Sequence, residues 1–379
     1  MPRALRAALG GGLALAVALA AIAALSRGGE SGAGRSSRAL PSGFFGVVSD
    51  DVFAGGAAYR RATLAREATA GVRLIRQTFD WALIERRRGR YDLAGYDDYV
   101  AALARARIRV LPILFDPPPF YSSAPVSGRR RGTYPPRDPR AMGTFAAALV
   151  RRYGPAGSFW ADHPDLPALP IRAWQVWNEP SIPVYWPSGP DPAAYVRLLR
   201  AVGRAIKQVE PGAEVVSAGL ARSRLGVPFE AYLRGMYAAG AARALDVLAV
   251  HPFASDPPGV LDALRTARGI AAAYGRPPPL WVTEFGWASG GPPSAFTVGE
   301  RRQADLVGRT LRTLVRERRA LHLRGVVYYD WRDAPPFPGG RDFYGLHTGL
   351  LRRDGRAKPA LAAYRRVASA DGELDPTRP

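Results

Sequence analysis

Short apolar stretches alternate with longer amphipathic ones along most of this chain, from Phe44 to Val367. The short stretches are rich in branched and aromatic side chains and predict strands, whereas the longer ones repeat apolar residues at helical spacing. Strands are predicted to start near residues 44, 73, 109, 173, 214, 247, 280 and 325. Helices are predicted over 59–70, 96–107, 141–153, 192–209, 229–239, 260–274, 300–319 and 359–367.

This regular alternation is typical of parallel β/α units, and the gaps between strand starts leave room for crossover helices. A doubly wound sheet would normally show a glycine-rich phosphate-binding loop after its first strand, and none is present. The sequence therefore predicts the α/β class, with a single (β/α)8 TIM barrel over residues 41–370. Residues 371–379 form a polar tail.

The N-terminal segment, residues 1–40, follows a different pattern. Arg3 and Arg6 precede an apolar run over 7–25, and a linker rich in glycine, serine and arginine follows over 26–38. Such a run is either a cleaved signal peptide or a membrane anchor helix. Positive charge ahead of the run places the remainder outside the cytoplasm. We therefore expect an extracytoplasmic protein that is either secreted or membrane-anchored.

Composition narrows the classes of partner and chemistry. The chain has no cysteine, which excludes disulfides, thiolate metal sites and a cysteine nucleophile. Its net charge of +21 comes from scattered arginines, so we expect no nucleic-acid partner and favour an acidic polysaccharide or the cell envelope. The four histidines are too dispersed for a metal site, and no G-x-S-x-G elbow occurs. No cofactor is expected, and the oligomeric state stays open.

Two glutamates stand at the ends of predicted strands rich in aromatic residues. The sequence RAWQVWNEP over 172–180 ends the fourth strand at Glu179, and LWVTEFGW over 280–287 places Glu284 late in the seventh. Because the C-terminal ends of barrel strands converge on one face, these carboxyl groups can meet. Such a pair suits glycosidic bond cleavage, in which one group donates a proton and the other attacks or stabilises the anomeric carbon.

The neighbours of each glutamate suggest its role. Tyr185 and Trp186 follow Glu179 closely and are candidate substrate-binding residues. Desolvation by such aromatic side chains would raise the pKa of Glu179 and keep it a proton donor. Glu284, near arginine and hydroxyl donors, could stay ionised as the nucleophile. Asn178 lies beside Glu179 and could hydrogen-bond a sugar hydroxyl near the reacting carbon.

These motifs resemble those of the retaining glycoside hydrolases of clan A, with the nearest likeness to families 39 and 5, the bacterial cellulase-like members especially. The resemblance covers nearly all of the chain from Phe44 to Val367. It implies that Glu179 is the acid/base, that Glu284 is the nucleophile, and that the substrate is a carbohydrate. It also implies three residues of the substrate site. Arg76 corresponds to the family's strand-two arginine near the nucleophile, and His251 corresponds to its strand-six histidine. Trp331 corresponds to the tryptophan that forms the bottom of the sugar site.

Two departures from the family pattern bear on function. The tyrosine that usually orients the nucleophile is Phe253 here, and strand three ends at Phe115-Asp116 without the histidine of many family 5 members. The second departure favours family 39 over family 5 and does not identify the sugar that the protein recognises. The leading hypothesis is a retaining hydrolase of β-linked oligo- or polysaccharides. The alternatives are a non-catalytic carbohydrate-binding barrel of the cell envelope, which Phe253 favours, and a transglycosidase using the same glutamates.

Overall fold

The computed structural model describes residues 40–125 and 132–369. Within them, nine parallel strands form one sheet in the order β5-β4-β3-β2-β1-β9-β8-β7-β6. The strands are β1 Phe45–Val48, β2 Leu74–Asp80, β3 Arg109–Phe115, β4 Ala173–Val176, β5 Glu214–Val216, β6 Leu220–Ala221, β7 Leu248–His251, β8 Leu280–Val282 and β9 Leu323–Tyr328.

The two ends of this sheet meet, because β5 and β6 are two pieces of one barrel strand. Val216 bridges Val247 in parallel, and Leu220 pairs with Val250. Between the two pieces, the Ser217 hydroxyl accepts a hydrogen bond from the Ala249 amide at 2.9 Å, so a side chain takes the place of a ladder bond. The ring therefore has eight strand positions, and the predicted (β/α)8 barrel is confirmed.

Helices follow the strands around the outside of the barrel. They are α1 Asp50–Ala54, α2 Ala57–Thr69, α3 Trp81–Ile84, α4 Ala94–Arg105, α5 Pro139–Tyr153, α6 Ser158–Asp162, α7 Pro192–Val209, α8 Phe229–Ala238, α9 Pro257–Ala272, α10 Glu300–Glu317 and α11 Pro359–Ala368. The eight predicted helices are all present, and α1, α3 and α6 are short additions. Three long helices begin with an aspartate cap followed by proline, which defines their first turns, at Asp138, Asp191 and Asp256.

The barrel interior is filled by apolar side chains from most of the strands. This buried cluster consists of Val48, Leu74, Leu111, Val216, Val247, Ala249, Trp281 and Val327. Inward-pointing layers of this kind make the interior a packed core and not a pore. The core fixes the C-terminal strand ends, where the candidate residues lie.

Some strands end earlier than the sequence predicts. The run VRLIRQTFDW over 72–81 predicts a second strand through Trp81, but the strand ends at Asp80. The Asp80 carboxylate accepts from the Leu83 amide at 2.9 Å and caps α3. The seventh strand ends at Val282, which leaves Glu284 in the loop just beyond it. These shorter strands place more of the candidate residues on loops at the barrel mouth.

Several predicted segments lie outside the described residues. They are the apolar run over 7–25 with its linker and the polar tail over 371–379. Among the residues that the structure does describe, no helix combines the length and the apolar character needed to cross a membrane.

Candidate active site

The C-terminal ends of the strands bring the two candidate glutamates together. Glu179 follows β4, Glu284 follows β8, and His251 ends β7. One oxygen of each carboxylate and one ring nitrogen of His251 all lie within 4.8 Å of one another. Retaining glycosidases separate their carboxyl groups by about 5–5.5 Å and inverting ones by about 6.5–9.5 Å. The observed separation suits direct attack by one carboxylate, since a water molecule has little room between them.

The loop after β4 is held in an unusual backbone conformation. Trp177 and Glu179 have φ angles of 74° and 40°, in the left-handed region that non-glycine residues seldom adopt. The Trp177 indole is buried and donates to the Tyr185 carbonyl at 2.9 Å, which fixes the loop. Strain of this kind, about 1–3 kcal/mol per residue, concentrates at functional sites. It accompanies the turn that places the Glu179 carboxyl beside His251.

Arg76 holds the nucleophile candidate from β2. Its guanidinium donates to Glu284 Oε1 at 2.5 Å, to Asn178 Oδ1 at 2.8 Å and to Gln175 Oε1 at 2.7 Å. Arg76 is only 2% exposed, so this ion pair is poorly screened by solvent. The bonds to Asn178 and Gln175 fix the guanidinium, which then orients Glu284 and places a permanent positive charge next to it.

His251 lies between the two carboxylates. Its Nδ1 is 2.7 Å from Glu179 Oε1 and 3.6 Å from Glu284 Oε2. Burial lowers the pKa of His251 to about 3, although the Glu284 charge acts in the opposite direction, so the ring is neutral at neutral pH. Because both facing groups are carboxyl oxygens, we assign the single ring proton to Nδ1, which donates to Glu179. The neutral ring then orients the acid without adding charge.

Glu179 has the electrostatics of a proton donor. Burial raises its pKa to about 7, and the positive charge of Arg76 opposes that shift. The direction is the one its aromatic sequence neighbours predict. A carboxyl group with this pKa is substantially protonated at neutral pH and can give its proton to a leaving oxygen.

The other predicted substrate residues fall into two groups. Tyr185 is half-buried, and burial together with the charges of Glu179 and Glu284 raises its pKa, so it lies close to both carboxylates. Trp186, in contrast, is buried with its ring centroid 5.7 Å from that of Trp177. Trp331 is 1% exposed. The two tryptophans therefore pack inside the protein and do not present open faces at the mouth.

Phe253 packs beside residues that carry hydroxyl groups. Its ring centroid lies 6.4 Å from that of His251, 6.4 Å from Tyr344 and 6.5 Å from Tyr329. Burial and the charges of Glu179 and Glu284 raise the pKa of Tyr344 to about 12, which places its phenol near both carboxylates. Tyr328 points elsewhere, since its hydroxyl donates to the Thr348 carbonyl at 2.8 Å. Tyr329 and Tyr344 are thus the hydroxyl-bearing side chains around Phe253.

Two residues near the carboxylates were not singled out from the sequence. Gln175, on β4, has no signal of its own within the strand motif. Asp50 does have one: it lies two residues after β1, at the same end of the barrel as Arg76, and is exposed there. The strand-end rule that found Glu179 applies equally to Asp50.

Glu179, His251 and Glu284 also offer oxygen and nitrogen atoms that a divalent cation could use. Arg76 already places a positive charge 2.5 Å from Glu284 Oε1, and Glu179 is disposed to hold a proton. The arrangement is therefore better matched to proton transfer and nucleophilic attack than to cation binding.

No family model matches the chain, and no curated protein matches its sequence. Solved structures do match its fold. A family 39 glycoside hydrolase from Bacteroides cellulosilyticus WH2 aligns over 86% of this chain and 63% of its own, with 21% identity and a TM-score of 0.62. A monomeric beta-xylosidase from Caulobacter crescentus CB15 aligns over 87% and 69%, with 19% identity and a TM-score of 0.63.

Xylanase 10B from Thermotoga maritima aligns over 88% of this chain and 97% of its own, with 12% identity and a TM-score of 0.59. At these identities the similarity establishes the barrel fold alone. The chain spans less than two thirds of the Bacteroides enzyme, at 63% of its length.

Proposed function

We propose that this protein is a retaining glycoside hydrolase that cleaves β-linked oligo- or polysaccharides by double displacement. The observation that carries the proposal is the pair of carboxyl oxygens within 4.8 Å at the barrel mouth, one beside Arg76 and one beside a neutral His251. The solved structures that share the fold support it, because several of them are glycosidases by name.

In the first half-reaction, a Glu284 oxygen attacks the anomeric carbon while the bond from that carbon to the leaving oxygen breaks. Glu179 gives its proton to the leaving oxygen. Arg76 holds Glu284 in place before attack through its hydrogen bond to Oε1. The product is a glycosyl ester on Glu284 and an ionised Glu179.

In the second half-reaction, a water oxygen attacks the same carbon and the ester bond to Glu284 breaks. Glu179, now ionised, takes a proton from that water and returns to its starting state. His251 keeps its hydrogen bond to Glu179 throughout and so limits the movement of the carboxyl group. A sugar hydroxyl in place of water would make the same site a transglycosidase.

The test uses Glu284→Gln and a panel of 4-nitrophenyl β-glycosides (xyloside, glucoside, mannoside, galactoside and glucuronide). We expect the variant to keep its fold by circular dichroism and to lose more than about 1,000-fold in kcat. In the wild type, a 2-fluoro glycoside should label Glu284 covalently, as peptide mass mapping would show. An active, unlabelled wild type, or an active Glu284→Gln protein, would contradict the double-displacement mechanism.

The second candidate is a barrel that binds glycans without cutting them, and the missing hydroxyl at Phe253 is the observation that favours it. A wild type that binds an oligosaccharide by calorimetry, hydrolyses no member of the panel and resists the fluoroglycoside would establish this alternative. Hydrolysis of any member, abolished in Glu284→Gln, would exclude it.

We also propose that the segment over 7–25 directs the barrel out of the cytoplasm, either as a signal peptide or as an anchor. The support is the sequence: two arginines, Arg3 and Arg6, precede the apolar run. Fractionation of producing cells, with mass determination of the mature N-terminus, separates cleavage from anchoring. Retention of the whole chain in the cytosol would overturn the proposal.

A further inference from the structure

The proposed reaction defines which side of the mouth receives the glycone, the sugar whose anomeric carbon reacts. Glu179 protonates the leaving group, so the leaving group lies on the β4 side. The body of the glycone must then extend away from β4. In a ring of eight strand positions, the positions opposite β4 are those of β9 and its neighbour β1. The residues after β9 and β1 therefore face the glycone.

Asp50 lies on this side of the mouth. It is the second residue after β1, and Val48 of β1 is in register with Arg76 of β2, which binds Glu284. Asp50 is exposed, yet enough protein surrounds it that desolvation raises its pKa, while the nearby Arg76 acts in the opposite direction. A side chain that contacts solvent and is also surrounded by many protein atoms lines a cleft, and Asp50 meets both conditions.

Two acidic residues near Asp50 have hydrogen-bond or ion-pair partners, whereas Asp50 has none among the residues described. Its neighbour Asp51 accepts from Ser49 and Tyr59 and lies 3.7 Å from Arg332, and Asp333 accepts from Lys358 at 2.6 Å. Within the described part of the chain, we find no such hydrogen bond or ion pair for the Asp50 carboxylate. A carboxylate without a hydrogen-bond or ion-pair partner among these residues is unexpected in a chain with 53 basic and 32 acidic residues.

Asp330, just after β9, adds to the acidic character of this side. Its Oδ1 is buried and has no hydrogen-bond partner among the described residues. Burial, Asp333 and Asp50 together raise the pKa of Asp330 well above its ordinary range. Asp330 therefore adds a second carboxyl group to this side of the mouth, and of the two Asp50 is the one exposed to solvent.

We propose that Asp50 is a specificity-determining residue that accepts hydrogen bonds from glycone hydroxyls, and that its charge excludes uronic acids from the glycone position. A carboxylate accepts hydrogen bonds from sugar hydroxyls strongly, whereas a second carboxylate on the sugar would be repelled. The inference rests on the proposed function for the side of the mouth that the glycone occupies. It limits any acidic polysaccharide substrate to one that places a neutral sugar at the cleaved bond.

The test compares wild type, Asp50→Asn and Asp98→Asn on the aryl glycoside panel. Asp98 is an exposed aspartate on α4, which makes it a matched control. We expect the wild type to prefer its best neutral glycoside over the β-glucuronide by about 100-fold or more in kcat/KM. Asp50→Asn should lower kcat/KM for the neutral glycoside about tenfold and shrink the preference by a similar factor. Asp98→Asn should change neither.

A binding measurement tests the inference apart from turnover. Calorimetry on Glu284→Gln, with and without Asp50→Asn, would use the disaccharide of the preferred neutral sugar and its uronic acid counterpart. Weaker binding of the uronic acid, relieved by Asp50→Asn, supports the inference even if the wild type hydrolyses nothing. Equal binding of both sugars would overturn the inference, and so would binding of neither. It would also be overturned if Asp50→Asn lost activity equally on every substrate and had a lowered thermal midpoint. A wild type that hydrolyses the glucuronide best would also overturn it, with the hydrolase function intact.

Discussion

Glu179 and His251 share a 2.7 Å hydrogen bond in which burial favours the neutral form of both partners. Burial raises the pKa of Glu179 to about 7 and lowers that of His251 to about 3. Near neutral pH the pair therefore carries one dissociable proton, on the carboxyl group that must give it away. A charged imidazolium would instead hold Glu179 ionised and remove the acid from the reaction.

This relationship predicts the alkaline limb of the pH profile. Below about pH 7 Glu179 is protonated and able to act, and above it kcat/KM should fall about tenfold per pH unit. The limb should be steepest for alkyl glycosides, whose leaving oxygen needs the proton. Initial rates from pH 5 to 9 would measure it, and an unchanged limb in Glu179→Gln would rule out Glu179 as its origin.

Glu179 should also reduce stability at high pH. Its folded-state pKa of about 7 exceeds the ordinary value of 4.5, so between these values the folded protein binds more protons than the unfolded chain. Its contribution to stability is present at low pH and is lost as pH rises through about 7, by at most about 3 kcal/mol.

Glu179→Gln, which stays neutral, should therefore raise the thermal midpoint at pH 8 more than at pH 5. Differential scanning calorimetry of both proteins at the two pH values measures this difference. A midpoint difference that is the same at both pH values would show that the charge of Glu179 is not its cause.

Replacing Arg76 with lysine tests the support of the nucleophile. Lysine keeps a positive charge but cannot reproduce three planar donors to Glu284, Asn178 and Gln175. We expect Arg76→Lys to lower kcat about 100-fold and to slow fluoroglycoside labelling of Glu284 in parallel, with a smaller change in KM. Arg105→Lys, at an exposed position on α4, is the matched control and should leave both rates unchanged. A large KM effect with normal labelling would instead assign Arg76 to substrate binding.

The sequence predicts the barrel well because its helices and strands each have a strong local pattern. The division of the fifth strand into β5 and β6 is not predictable in this way, since it depends on a bond from the Ala249 amide to the Ser217 hydroxyl. The two glutamates could be found because each follows a strand and stands among aromatic residues. The sequence pattern does not show which tryptophans are buried, such as Trp331, because burial depends on the three-dimensional packing. For the same reason it does not show which distant side chains bind Arg76.

Gly219, between β5 and β6, provides a test of how His251 is held in place. A Cβ atom at this position would lie 1.9 Å from His251 Nε2, and the fully buried ring has nowhere to move. We expect Gly219→Ala to displace the imidazole from Glu179, to lower kcat/KM at least tenfold, and to destabilise the fold by about 1–3 kcal/mol. Gly269→Ala on α9, where the added carbon meets no atom within 4 Å apart from its own stretch of helix backbone, is the control and should be neutral or slightly stabilising. The cause can be isolated with His251→Asn, whose shorter side chain leaves room for the added methyl group. In that background Gly219→Ala should cost much less stability by urea denaturation. An undiminished cost would mean that the methyl group disturbs the barrel strand itself, and not the histidine that positions the acid.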